Sequence, residues 1–103
     1  MAAPVAGANT QTPSTPNTSI TVIPANQAGG YIVNPLSADD QGLDTAEVLY
    51  VDQVGPAKTS ANGTTIALQP GQSYTLIPNT LTPVTAASNG ASHKFTAVCW
   101  PTA

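Results

Sequence analysis

No stretch of this chain runs far before meeting a proline, a glycine or an asparagine. The interruptions fall at Pro24, Gly29-Gly30, Pro35, Gly55-Pro56, Asn62-Gly63, Pro70-Gly71, Pro78-Asn79, Asn89-Gly90 and Pro101. Proline fixes φ and donates no backbone N–H, so it ends a helix and is tolerated in a sheet only at edges and strand starts. The segments between these breaks are short and rich in Val, Ile, Thr and Tyr, which suit a pleated surface. None carries the i, i+3, i+4, i+7 apolar stripe of an amphipathic helix. The expected strands are Ile20–Ile23, Tyr31–Asn34, Ala46–Asp52, Thr64–Leu68, Ser73–Ile77, Pro83–Ala87 and His93–Trp100. About seven short antiparallel strands at this spacing predict an all-β fold, a small β-sandwich or barrel.

The turn chemistry fits. Pro70-Gly71 suits a type II turn, and Asn62-Gly63 and Asn89-Gly90 are hairpin dipeptides. Ser37–Leu43 has a serine positioned as an N-cap and acids behind it, but Gly42 leaves room for one turn only, so it reads as a loop. Residues 1–18, MAAPVAGANTQTPSTPNT, carry no charge and no periodic pattern. They read as an extended, flexible N-terminal arm, leaving residues 19–103 as a single sandwich domain.

Alternation along two strands assigns faces. Val48 and Tyr50 share one side, and Glu47, Leu49 and Val51 the other. Phe95, Ala97 and Cys99 alternate with Thr96, Val98 and Trp100. Both strands are apolar on both sides. One side belongs to the core, and the other is expected to be covered by the arm or by another subunit. Trp100, near the end of the chain, is expected to cap one open end of the sandwich.

Charge narrows the function. Only 7% of the 103 residues are charged, and the net charge is −3. An ordinary soluble domain has roughly 25%. A surface built from Thr, Ser, Asn and Gln sheds water at low cost when it meets a partner. Lys58 and Lys94 are the only cations. That disfavours nucleic acid, which demands several phosphate-neutralising groups, and an anionic membrane likewise. No apolar run is long enough for a transmembrane helix, and Met1 to Gly7 lacks the basic start of a signal peptide. Synthesis in a cytosol is therefore expected.

Residues for catalysis are few. His93 is the one histidine and Cys99 the one cysteine. Six residues apart on a strand, they stand roughly 20 Å from each other, too far for a dyad. His93 is expected to be a hydrogen-bonding residue at a strand start, and Cys99 a small buried hydrophobe. Blue copper and structural zinc both need more ligands. Asp39, Asp40, Asp44, Glu47 and Asp52 match no EF-hand loop and read as a solvated acidic loop. Neither a catalytic residue, a cofactor nor a metal is expected, and the chain is not expected to be an enzyme. Tyr31, Tyr50, Tyr74 and Trp100 invite comparison with a sugar-binding platform, although aromatics in a small sandwich are more often core.

The elements GGYIVNP at 29–35, AEVLYVDQVGPA at 46–57, ALQPGQSYTL at 67–76 and HKFTAVCW at 93–100 resemble small structural proteins of tailed bacteriophages. The resemblance is to capsid decoration (cement) and head-fibre-base proteins. It implies a virion protein on the capsid surface that binds the major capsid protein, sits as a monomer or trimer at symmetry axes, and reinforces the shell. Residues 1–18, with Pro4, Val5, Pro13 and Pro16, and the surroundings of Tyr31, Tyr50 and Trp100 are the expected contact elements. Two alternatives stay open: a carbohydrate-binding or adhesin-like module, and a tail, connector or fibre component of the same particle.

Overall fold

A computed structural model describes residues 3–60, 63–78 and 81–101. The strands are β1 (Val5–Ala6), β2 (Ile20–Ile23), β3 (Gln27–Val33), β4 (Leu49–Asp52), β5 (Thr65–Leu68), β6 (Ser73–Thr75), β7 (Val84–Ala87) and β8 (Thr96–Pro101). They form two four-stranded antiparallel sheets, ordered β1-β8-β3-β6 and β2-β7-β4-β5. The expected all-β class is what the chain adopts. Only β4 and β5 are consecutive strands in one sheet; every other connection crosses between sheets.

The core lies between the sheets. Ile32, Ala97 and Cys99 face it from one side, and Leu49, Val51, Leu68, Val84 and Ala86 from the other. Alternation divides these residues between the two faces as expected, and the structure decides which face is inner: Leu49 and Val51 point inward and Tyr50 outward, Ala97 and Cys99 inward and Val98 outward. Adjacent Val22 and Ile23 are both fully buried because a register shift between Thr21 and Ile23 turns two neighbours to the same side. Each fully buried Val, Leu or Ile contributes about 1.5–3 kcal/mol of transfer free energy.

Residues 3–18 are not a separate arm. Val5 and Ala6 pair with Cys99 and Val98, adding β1 to the edge of β8. The segment then crosses the end of the sandwich. Gly7 N donates to Ala97 O and Ala8 N to Val22 O, both at 2.8 Å, so consecutive residues grip opposite sheets. Further along, Thr12 N donates to His93 O, and Asn17 N to Ser88 O. A Pro-rich stretch lacks a periodic apolar signal, yet its backbone can still satisfy a neighbouring strand.

Three local expectations also change. Gly29-Gly30 lies within β3 and not before it, and at Gly30 the close approach to β8 demands the absence of a side chain. A Cβ on Gly30 would stand 2.6 Å from the Val98 carbonyl oxygen. Gly30→Ala is expected to cost about 1–3 kcal/mol, read as a lower urea midpoint at unchanged m-value. The segment read as a loop contains a one-turn helix, α1 (Ala38–Gln41). Ser37 caps it through its side chain to Asp40 N, and Gly42 closes it in the left-handed region at φ 71°. Asn89-Gly90 makes no hairpin, since β7 and β8 belong to different sheets.

The Pro70-Gly71 turn forms as expected, with Gly71 at φ 87° and Gln72 N donating to Gln69 O at 2.9 Å. It links the two sheets. Asn62 of the expected Asn62-Gly63 turn lies outside the described residues.

Candidate interaction surface

The expected contact residues divide between two faces. Pro4 and Pro16 are exposed and Pro13 is half-buried, all on the N-terminal segment. Val5, on β1, is 47% exposed. Tyr31 and Trp100 stand half-buried on the outer face of the β1-β8-β3-β6 sheet. Tyr50 stands on the outer face of the other sheet, so the structure does not bring it to them. Tyr74 packs against the core. The four aromatics therefore make no common platform.

Tyr31 and Trp100 do meet. Their rings contact edge to face, with centroids 6.1 Å apart and planes at 66°. Trp100 does not cap an end of the sandwich. Its neighbour Cys99 occupies the inward position on β8, so alternation turns the indole outward, over Gly29 on β3. Beside it runs an open groove of about 340 Å³, lined by Ala28, Gly29, Gly30, Thr75, Leu76, Pro78 and Trp100. Two glycines give this groove a floor without side chains, and among its described lining residues the polar side-chain groups are the Thr75 hydroxyl and the Trp100 indole N–H.

At the other end of the sandwich from this groove lies a buried polar chain that sequence reasoning missed, apart from His93. Asn34 Nδ2 donates to Glu47 O at 3.0 Å and to Leu68 O at 2.9 Å. That orients the amide so that Oδ1 accepts from Gln41 Nε2 at 3.0 Å and lies 2.8 Å from His93 Nε2. The proton of the neutral ring must therefore sit on Nε2, and Nδ1 accepts from the Ser88 hydroxyl at 2.8 Å. Ser88 Oγ in turn accepts from Gly90 N. Gln41, the last residue of α1, accepts from Glu47 N and donates to Pro35 O. The network ties α1 and both sheets together. Burial pushes the His93 pKa down to about 4.

Serine, histidine and asparagine in hydrogen-bonded sequence have the order of a nucleophile, its base and an orienting group. Here Ser88 is 1% exposed and His93 and Asn34 are both 0% exposed. No substrate atom can reach the hydroxyl of Ser88 without the fold opening.

Asp52 departs from the solvated acidic loop. It is 3% exposed. Oδ1 accepts from Val54 N and Gly55 N, and Oδ2 from the hydroxyls of Thr64 and Thr65, all within 2.7–2.9 Å. Burial pushes its pKa up, but these four donors outweigh it and hold the carboxyl below its ordinary value. Asp52 is thus the anchor of the long β4–β5 connection. Asp52→Asn removes acceptor capacity and charge, and is expected to cost about 2 kcal/mol in chemical denaturation.

Gln53 plays a similar part. Its side chain donates to Ile77 O and accepts from Ile77 N and the Tyr74 hydroxyl, and its carbonyl accepts from Thr82. Burial, with the Asp52 charge behind it, pushes the Tyr74 pKa up.

Cys99 is buried on the inner face of β8, as expected, and burial raises its pKa. Among the described residues, no three His, Cys, Asp or Glu side chains group closely enough to hold a metal ion. No helix among them is long and apolar enough to cross a membrane. In comparisons with known proteins, no family model, no curated protein and no solved structure matches the chain.

Proposed function

We propose that this chain is a structural protein of a virus particle that binds the outer surface of the major capsid protein and reinforces the shell. The observation that supports it is the pairing of a compact sandwich with a surface nearly free of charge: 7% of residues are ionisable as Asp, Glu, Lys or Arg. Such a surface loses little hydration energy when buried, which suits permanent contact with protein more than free diffusion. Reinforcement follows from geometry. A rigid domain that contacts two shell subunits must lose one contact before they separate. A trimer at a symmetry axis would multiply that effect through effective concentration.

The test is co-sedimentation with empty shells of the parent particle that lack this protein. Saturable binding at a fixed ratio to shell subunits supports the proposal. A chain that stays in the supernatant at all concentrations refutes it and directs attention to a tail, connector or fibre position.

The Tyr31–Trp100 pair favours a second reading as a glycan-binding module, because sugar rings stack on exposed aromatic faces. The adjoining groove offers little for sugar hydroxyls to bond, which weighs against it. Binding on a glycan array, lost in Trp100→Ala, would favour this second reading.

A further inference from the structure

The domain is polarised. Asp39, Asp40, Asp44 and Glu47 lie on α1 and the connection to β4, and Lys94 joins them by donating its backbone N–H to Gln41 O. This charged end lies where β3 finishes and β4 begins, since Asn34 reaches across to Glu47. The opposite end carries three exposed aliphatic side chains. Val54, Ile77 and Leu81 are 68%, 63% and 78% exposed. They belong to the loops that follow β4 and β6, and Gln53 ties those loops together. Pro78, next to Ile77, also lines the groove beside Trp100, so the aliphatic tip continues into that depression. Asp52 is buried there, and Lys58 is the one exposed charge on these two loops among the described residues.

Single exposed aliphatic residues are ordinary, but three on two mutually pinned loops are not. Gln53 is 5% exposed and bonds Ile77 and Thr82, so these two positions are held before any partner arrives. A preorganised tip loses little conformational entropy on docking. The segregation of charge identifies what it meets. The end that carries the solvated carboxylates stays hydrated, and the other, whose one carboxylate, Asp52, is buried and hydrogen-bonded by four donors, fits an uncharged surface with a recess for aliphatic side chains.

We infer that the Val54–Ile77–Leu81 tip, with the groove beside Trp100, seats on an uncharged apolar surface of the shell subunit while the α1 end points to solvent. The inference rests on the shell-binding proposal above. It is tested with the full chain and the same empty shells, at about 0.05 M and about 0.5 M salt. Leu81→Asp and Val54→Asp are each expected to weaken binding roughly tenfold or more. Leu36→Asp places the same charge on an aliphatic residue that is 74% exposed at the α1 end, and is expected to bind like the wild type. Wild-type binding is expected to hold at the higher salt. Urea midpoints check folding, and Leu81→Ser serves if an aspartate variant does not fold.

Tip variants that bind shells as well as the wild type would overturn this inference and leave the shell-binding proposal standing. The same holds for wild-type binding that high salt abolishes. A wild type that binds no shells would overturn both.

Discussion

Between pH 7 and pH 4 the fold is expected to lose about 3 kcal/mol of stability through His93 alone. The folded ring has a pKa of about 4, against about 6.5 in an unfolded chain. Between those values the unfolded state binds more protons than the folded one, so stability rises with pH there. It is fully present above about pH 6.5, declines as pH falls, and levels off below about pH 4. The cause is structural. Nδ1 must accept from Ser88, Nε2 must donate to Asn34, and the ring is 0% exposed, so a second proton is buried without a counter-charge. Asp52 adds a further loss at lower pH. Its folded pKa lies below the ordinary 3.8, so its stabilisation is present above that value and disappears as pH drops through it. Urea unfolding at a series of pH values measures both. His93→Gln is expected to flatten the upper part of the curve and leave the lower part. A wild-type midpoint that does not move between pH 6.5 and pH 4.5 would show that the ring is not held neutral.

Removing residues 1–18 is expected to destabilise the domain by about 3 kcal/mol or more, not to trim a dispensable tail. The segment supplies the acceptors for three backbone donors ahead of β8: Pro13 O for Ser92 N, the Thr12 hydroxyl for His93 N, and Thr10 O for Phe95 N. It also pairs β1 with β8 and covers its edge. Thr12 is 2% exposed and bonds both backbone groups of His93, so the deletion opens the polar chain that holds the ring neutral. Against the 5–15 kcal/mol of a typical small domain, this is a large fraction. The chain starting at Ser19 is expected to unfold at clearly lower urea and to lose much of the pH dependence assigned to His93. An unchanged midpoint would mean that the segment is held by the domain without supporting it. The result also bears on shell-binding experiments, because weaker binding by the shortened chain reports folding before it reports contact.

Much of the architecture was legible in the residues. Period-two alternation in 46–52 and 93–100 put Leu49 with Val51 and Ala97 with Cys99 on shared faces, which the structure turns inward, and Pro70-Gly71 marked its own turn. Other features left a weaker trace. Ser37 and Gly42 signal both ends of α1, but a single turn has little stability of its own, and Gln41 completes it only by reaching Asn34, Pro35 and Glu47. Asp52 ends an expected strand, but that position does not by itself separate a buried carboxylate from a solvated one such as Asp44. Burial came from the β4–β5 connection folding back, with Thr64 and Thr65 arriving from beyond it.

Local steric preference and composition settled the class of fold, the division of strand residues between two faces and the scarcity of charge. Tertiary structure alone decided that residues 3–18 complete a sheet, that strands on either side of Asn89-Gly90 part company, and that Ser88, His93, Asn34 and Gln41 form one chain. It also decided that Val54, Ile77 and Leu81 share an end. Each of these depends on groups far apart in sequence meeting in space, where one backbone satisfies another. Hydrogen bonds between such groups carry no periodicity for a linear pattern to record.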